Sequence, residues 1–279
     1  MITLTSAEMN TWIAALLWPL TRILGLIAAA PLFGNSSVPV SVKVALGVIL
    51  ATIMTPAIPA LPAADPLSMA GMLILLQEML IGLAMGFAMR IVFAAVEMAG
   101  EVSSLTMGLG FATFFDPQSS GRSSAISQFL ALIATMVFLA ANAHLVLLEA
   151  LAESFITMPV SAAPMAAGAP FELVKWGGRI FSAGLQLSLP IVAALLITNV
   201  ALGILTRAAP QLNIFGIGFS VSLGVGLLVI SLVMPYLGGP IVNLINQGIE
   251  ASRAVARAAG QSVKPGTKAS QIAPVLPRF

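Results

Sequence analysis

The side chains in this sequence that could do chemistry are charged residues within or beside long apolar segments. Glu97 and Glu101 are four residues apart near the end of one such segment. Two carboxylates at positions i and i+4 share one face of a helix, where they could act in acid–base chemistry or bind a cation. No histidine, lysine or cysteine is close to them in sequence. The pattern therefore favours a helix end that faces solvent or another subunit, or a gating role, over catalysis.

Arg22, Glu78 and Arg90 lie inside apolar segments. A charge at the middle of a bilayer costs about 2.5–3.5 kcal/mol on insertion scales, so such residues normally face protein or water. Glu78 and Arg90 are separated by about 18 Å along a straight helix and cannot pair within it. Arg22 and Glu78 come from different segments and could pair between helices. We expect these three residues, together with Glu97 and Glu101, to be buried charges that act in subunit packing or gating.

The residue inventory predicts a protein that is not an enzyme. The chain has no cysteine and one histidine, His144, which excludes thiol nucleophiles, disulfides and histidine clusters for a metal. Neither a Gly-x-Ser-x-Gly elbow nor an HExxH helix motif is present. We therefore predict no catalytic residue, no metal site and no cofactor. A net charge of +2 is too small to indicate nucleic-acid binding.

The elements that hold these residues are apolar segments long enough to cross a bilayer. Of the 279 residues, 59% are hydrophobic and 8% are charged, whereas soluble domains carry about 25% charged residues. This composition predicts an all-α membrane protein. Six segments stand out, at residues 12–33, 42–61, 69–96, 125–151, 180–206 and 214–245.

Several features predict irregular helices. Pro190 and the stretch from Pro235 to Pro240 should kink or interrupt the last two segments. Gly82 and Gly86 form a GxxxG motif, which allows close approach of another helix and is often ordinary packing. Residues 251–279 are basic and are predicted to form a disordered tail, which the excess of Lys and Arg places in the cytoplasm.

The stretch from Met107 to Pro117 places three phenylalanines between glycines and an Asp-Pro pair. Non-helical backbone at membrane depth is tolerated only inside protein or along a water-filled cavity. Bulky apolar side chains on a flexible glycine loop suit a constriction that closes a pore by excluding water. Ordinary packing between helices is the alternative.

At this loop the chain resembles a known family. Gln77-Glu78 through Gly82 and Gly86-Phe87, then Glu97-Met-Ala-Gly100-Glu101, then Met107-Gly-Leu-Gly-Phe111 through Asp116-Pro117, look like FliR, the R subunit of the flagellar type III export gate. The stretch from Ala209 to Phe219 is similar to the family's C-terminal motif. Where many members continue with a proline and a basic residue, this chain has Ser220-Val-Ser222.

The resemblance implies a structural subunit that sits with FliP and FliQ in one assembly, near FlhB and FlhA, in the bacterial inner membrane at the flagellar basal body. The assembly passes unfolded export substrates, and its outer surface contacts lipid. The family layout implies a FliP-like portion at residues 1–178 with a plug loop at about 104–124, a FliQ-like helical hairpin at 179–250, and the tail at 251–279.

The resemblance also implies roles for two sets of residues. The pore-plug candidates, followed by their anchor, are Met107, Gly108, Gly110, Phe111, Phe114 and Phe115, then Asp116 and Pro117. The candidates for the hairpin and assembly motif are Pro210, Asn213, Phe215, Gly216, Gly218 and Phe219. Two alternatives stay open: the related gate subunit of a virulence injectisome, and a small-solute secondary transporter with Arg22, Glu78 and Arg90 as its polar site.

Overall fold

The computed structural model describes residues 6–58, 61–62, 64–111, 124–161, 168–208 and 214–260. These residues form eight α-helices and two short 3-10 helices, at Thr55–Ala57 and Leu109–Phe111, with no strand among them. The α-helices are α1 (Ser6–Ala29), α2 (Val40–Met54), α3 (Met69–Thr106), α4 (Ala125–Ala140), α5 (Ala143–Thr157), α6 (Gly168–Gly177), α7 (Arg179–Ala208) and α8 (Ile214–Gly260). Within the described ranges four helical stretches are long and apolar enough to cross a membrane, and the bent pair α4–α5 could be a fifth. The prediction of an all-α membrane protein is confirmed.

Helix α3 is the centre of the fold. Its 38 residues pack against α1, α4, α7 and α8. The GxxxG motif lies at the crossing with α1: a β-carbon on Gly82 would overlap the carbonyl oxygen of Arg22, and one on Gly86 would lie 2.7 Å from that of Leu26. The motif therefore brings two helices of the same chain into backbone contact, which is the ordinary packing that the sequence left open.

Two helices depart from the expected segments in the middle of the chain. Helix α3 continues to Thr106, ten residues beyond the end predicted at residue 96. The single segment predicted at 125–151 is instead two helices, α4 and α5, which meet at an angle of 68°. Asn142 takes a left-handed conformation (φ 53°) at the corner, a conformation that asparagine adopts more readily than most residues.

The last helix is longer and more regular than expected. Helix α8 runs through Pro235 and Pro240 without interruption, and α7 likewise contains Pro190. The interruption predicted at Pro235–Pro240 is therefore wrong. A disordered tail from residue 251 is also wrong for its first ten residues, because they form the last turns of α8. These turns are helical since they bury side chains against the rest of the fold, namely Ser252, Val255, Ala256 and Ala259.

The hydrophobic core has two parts. The main core combines buried residues of α1, α3, α4, α5 and α8, and it includes Ala183 of α7. A smaller group, here called the Met107 cluster, consists of Met107, Ile126, Ile191, Leu195 and Ile230. Helices α6 and α7 meet at Gly178, the boundary expected between the two portions of the chain. Both α7 and α8 nevertheless share the main core with the preceding helices, and the division into FliP-like and FliQ-like parts stays a prediction.

Candidate functional site: buried charges and the base of the glycine–phenylalanine loop

Arg22 and Glu78 form an ion pair in the interior of the protein. Nε of Arg22 donates to Oε2 of Glu78 at 2.7 Å, and Nη2 donates to Oε1 at 2.9 Å. Both side chains are completely buried. This bidentate geometry matches the planar fork of the guanidinium to the carboxylate. The pairing suggested by the sequence is therefore present, between α1 and α3.

The same guanidinium also holds the end of α5. Nη1 of Arg22 donates to the carbonyl oxygen and hydroxyl of Ser154, and Nη2 donates to the carbonyl oxygen of Met158 at 2.9 Å. The guanidinium carbon lies 4.3 Å from the ring centroid of Phe155. The last carbonyls of a helix lack partners within it and carry negative partial charge, so a cation is favourable there. These contacts tie α1, α3 and α5 together inside one chain.

Arg90 differs from this pair because its side chain is exposed on α3 in the single chain, so its burial against another subunit stays a prediction. It borders a cavity of about 550 Å³ between the α1–α2 connection, α3 and α4. Glu97, two helical turns further along α3, lines the same cavity and is half-buried. The two side chains thus share a polar recess at the surface of the chain.

Residues 107–123, here called the Gly-Phe loop, connect α3 to α4. The base of this loop is closed, because the two helices are in contact where the loop begins and ends. A β-carbon on Gly100 would overlap Ser127, so the two helices touch through their backbones there. Ser127 donates from its hydroxyl to the carbonyl oxygen of Glu97 at 2.8 Å. Glu101 accepts a hydrogen bond of 3.2 Å from the backbone N–H of Ser124, the residue that caps α4. Glu101 is therefore bound to the next helix, where its negative charge is favourable.

The first residues of the loop are also fixed. Met107 is completely buried in the Met107 cluster, and its backbone N–H donates to the carbonyl oxygen of Ser103 at 3.0 Å. Gly108 has φ 86° and donates to Leu105, which is the usual way in which a glycine ends a helix. Two plug candidates, Met107 and Gly108, thus lie at the base of the loop, directly after α3, and not in its middle. The short 3-10 helix contains Gly110 and ends at Phe111.

The remaining predicted site residues are only partly described. Phe114, Phe115, Asp116 and Pro117 lie outside the described residues, and so do Pro210 and Asn213. Phe215 and Gly216 are in the first turn of α8, followed by Gly218 and the exposed Phe219. A β-carbon placed on Gly218 would meet no other part of the described chain within 4 Å, so the role of this glycine in the assembly motif stays a prediction.

Sequence reasoning missed the residues that complete these contacts. Ser124 and Ser127 make the hydrogen bonds at the base of the loop. Ser154 accepts a hydrogen bond from Arg22, and Gly226 is in contact with Met107. A serine just before an apolar run is a helix-cap signal and could have identified Ser124. The other three depend on which helices meet, and no local signal marks them. In the portions of the chain that the structure covers, no group of three His, Cys, Asp or Glu residues could hold a metal ion.

Comparison with known proteins gives consistent results along almost the whole chain. Residues 13–248 match the family described as bacterial export proteins, family 1. The chain is 42% identical over 237 residues to the flagellar biosynthetic protein FliR of Pectobacterium carotovorum subsp. carotovorum, covering 85% of this chain and 90% of that protein. It is 40% identical to the Escherichia coli (strain K12) protein of the same name, with the same coverage. For the Bacillus subtilis (strain 168) protein of that name the identity is 31% over 235 residues, covering 83% and 90%.

Proposed function

Because the chain belongs to the FliR family of flagellar export proteins, we propose that it is a non-enzymatic structural subunit of the flagellar protein export gate. Family membership and several membrane-length helices make it a membrane component of the flagellar export apparatus. Our proposal goes further: the subunit helps to form and plug the channel through which unfolded flagellar subunits cross the inner membrane. Assembly of the flagellum would then require it.

The observation that carries the proposal is the closed base of the Gly-Phe loop. Hydrogen bonds and backbone contact join the end of α3 to the start of α4. A loop held at both ends presents its side chains in a limited region, which a plug requires. Apolar side chains there would exclude water from a narrow pore and yet yield to a passing chain. We propose Gly110 and the three phenylalanines, Phe111, Phe114 and Phe115, as the plug, with Asp116 and Pro117 as its anchor.

The surface of the α7–α8 hairpin supports assembly with other helical subunits. Five of its glycines have no atom of the described chain within 4 Å of the position that a β-carbon would take: Gly203, Gly218, Gly224, Gly238 and Gly239. Glycine in a helix costs about 0.5–1 kcal/mol relative to alanine, and in membrane helices it commonly marks a close helix–helix contact. We propose FliP and FliQ as the neighbours, with FlhB and FlhA nearby, and lipid on the remaining apolar surface.

The proposed location is the inner membrane at the flagellar basal body, with the C-terminus in the cytoplasm. Basic residues are concentrated towards that end of the sequence, and cytoplasmic segments carry an excess of Lys and Arg. A cysteine-labelling experiment can test the orientation because the chain has no cysteine of its own. Ser262→Cys should react with an impermeant thiol reagent only when the reagent has access to the cytoplasmic face.

The plug is tested by removing its apolar groups, either by substitutions that keep the length of the loop or by deletion. Phe114→Ser with Phe115→Ser should let ions or small solutes leak into cells that assemble the gate, and deletion of Gly108–Phe115 should do the same. Gln118→Ala, a polar position in the same loop, is the matched control and should leave the membrane tight. Unchanged permeability in assembled variant gates would refute the plug.

Co-purification separates the alternatives. A large complex with other helical subunits is expected for the gate, whereas a functional lone protomer would indicate a solute transporter. An injectisome subunit would co-purify with secretion components of that machine. The flagellar assignment is favoured because the relatives described above are named as flagellar proteins.

A further inference from the structure

We infer that Met107 is a positioning residue that fixes the start of the Gly-Phe loop on helix α8, through a notch at Gly226. This inference rests on the proposed plug function and deepens it. It makes the α7–α8 hairpin the support that holds the loop in place.

The notch is defined by the contact between one glycine and one side chain. A β-carbon on Gly226 would lie 2.6 Å from Cγ, 2.7 Å from Cε and 2.9 Å from Sδ of Met107. The thioether chain therefore lies directly on the backbone of α8, where any larger residue than glycine would displace it. Met107 is completely buried, and Gly226 is buried as well.

The surrounding cluster connects this notch to both ends of the loop and to both helices of the hairpin. Met107 directly follows the last residue of α3 on one side of the loop, and Ile126 lies in the first turn of α4 on the other. Ile191 and Leu195 come from α7, and Ile230 comes from α8. The Met107 cluster is thus a small core of its own, separate from the main core, between the base of the loop and the hairpin.

The backbone gives Met107 little freedom to leave this position. Its N–H is bonded to Ser103 as part of the last turn of α3, and Gly108 turns the chain immediately after it. Leu109 packs against the same cluster. A shift of α8 relative to α3 must therefore move the first residues of the loop, or break the packing of Met107.

A size series at the notch tests the inference. Gly226→Ala should push Met107 away and raise the fraction of leaking gates by about 5-fold to 150-fold, the range expected for overpacking at a tight contact. Ser231→Ala, at an exposed position of the same helix outside the Met107 cluster, is the control and should not leak. Adding Met107→Ala to Gly226→Ala makes room for the methyl group and should reduce the leak. A Gly226→Ala gate that assembles and stays tight would overturn the inference.

Two further measurements cover the other outcomes. If Gly226→Ala blocks assembly, recovery of assembly by Met107→Ala supports the contact, and failure to recover overturns it. In assembled gates, Met107→Cys with Gly226→Cys should cross-link, whereas Met107→Cys with the exposed Ser231→Cys should not; the reverse result overturns the contact. Deletion of Gly108–Phe115 is measured alongside. A leak from the deletion without one from Gly226→Ala refutes the positioning role alone, and no leak from the deletion refutes the plug itself.

Discussion

Arg22→Ala should be among the most damaging single substitutions outside the loop. The guanidinium makes five hydrogen bonds, to the carboxylate of Glu78, to the carbonyl and hydroxyl of Ser154, and to the carbonyl of Met158. Its loss leaves a fully buried carboxylate without a cation. Removing one partner of a buried ion pair costs about 3–5 kcal/mol, which is a large part of the roughly 5–15 kcal/mol that stabilises a typical folded protein.

The assay is thermal unfolding of the isolated chain in detergent, which reports the stability of the fold and not the contacts between subunits. Arg90→Ala is the matched control, because it removes the same residue type from an exposed position on α3, where substitutions usually change stability by no more than about 0.5 kcal/mol. Arg22→Ala should lower the unfolding temperature strongly, and Arg90→Ala should leave it unchanged. Equal behaviour of the two variants would show that the buried pair is not what stabilises the fold.

A charge swap gives a second, less obvious expectation. Arg22→Glu with Glu78→Arg restores the pair of opposite charges but places a carboxylate opposite the carbonyl oxygens of Ser154 and Met158. The carbonyl oxygen of Met158 then loses the donor that Arg22 supplies, while that of Ser154 keeps the backbone N–H of Met158. A buried acceptor without a partner costs about 1–3 kcal/mol. The swap should therefore fail to restore stability. Full rescue would contradict the role of Arg22 at the end of α5.

Three further outcomes follow from the packing. Gly82→Ala should destabilise the chain by about 1–3 kcal/mol because its methyl group would overlap α1, whereas Gly203→Ala should not lower the heat stability of the isolated chain; both are measured by thermal unfolding in detergent. Ser124→Ala removes the cap of α4 and should cost about 1 kcal/mol in the same measurement. Truncation after Glu250 should lower stability and truncation after Gly260 should not, because the residues between them are helical and packed.

The features that the sequence predicted are those with a strong local or compositional signal. Long apolar segments predicted most helical regions of the fold. Arg22 and Glu78 could be paired because the chain has few charges, and each must find a partner if it is buried. The carboxylates Glu97 and Glu101 were correctly placed on one helix, but their segment was ended too early because Gly100 and the following serines resemble a loop. In the structure Gly100 is instead the point where α4 touches α3.

Other features depend on contacts between distant residues and have no local signal. The corner at Asn142 lies in an apolar run without glycine or proline, so the hydropathy pattern predicts one helix there. Gly226 is one of many glycines in its segment, and only the position of α3 distinguishes it. Pro235 and Pro240 gave the opposite error, because loss of a backbone donor does not end a helix whose neighbouring turns are held by packing.

Helices α1 and α8 both contact the end of α5, and the contacts of α8 explain why this helix continues past residue 250. The carbonyl oxygens of Ser154 and Met158 at the end of α5 accept hydrogen bonds from Arg22 of α1. Arg253 of α8 lies 3.1 Å from the carboxylate of Glu153 on α5. A β-carbon on Gly260 would lie 2.6 Å from the carbonyl oxygen of Thr157. Exposed ion pairs contribute little by themselves, so the buried face of the last turns must supply most of the stabilisation. Arg253 and Arg257, which the sequence assigned to a disordered tail, therefore lie on the polar side of an amphipathic helix end. This helix end is fixed to the same end of α5 as the buried Arg22–Glu78 pair.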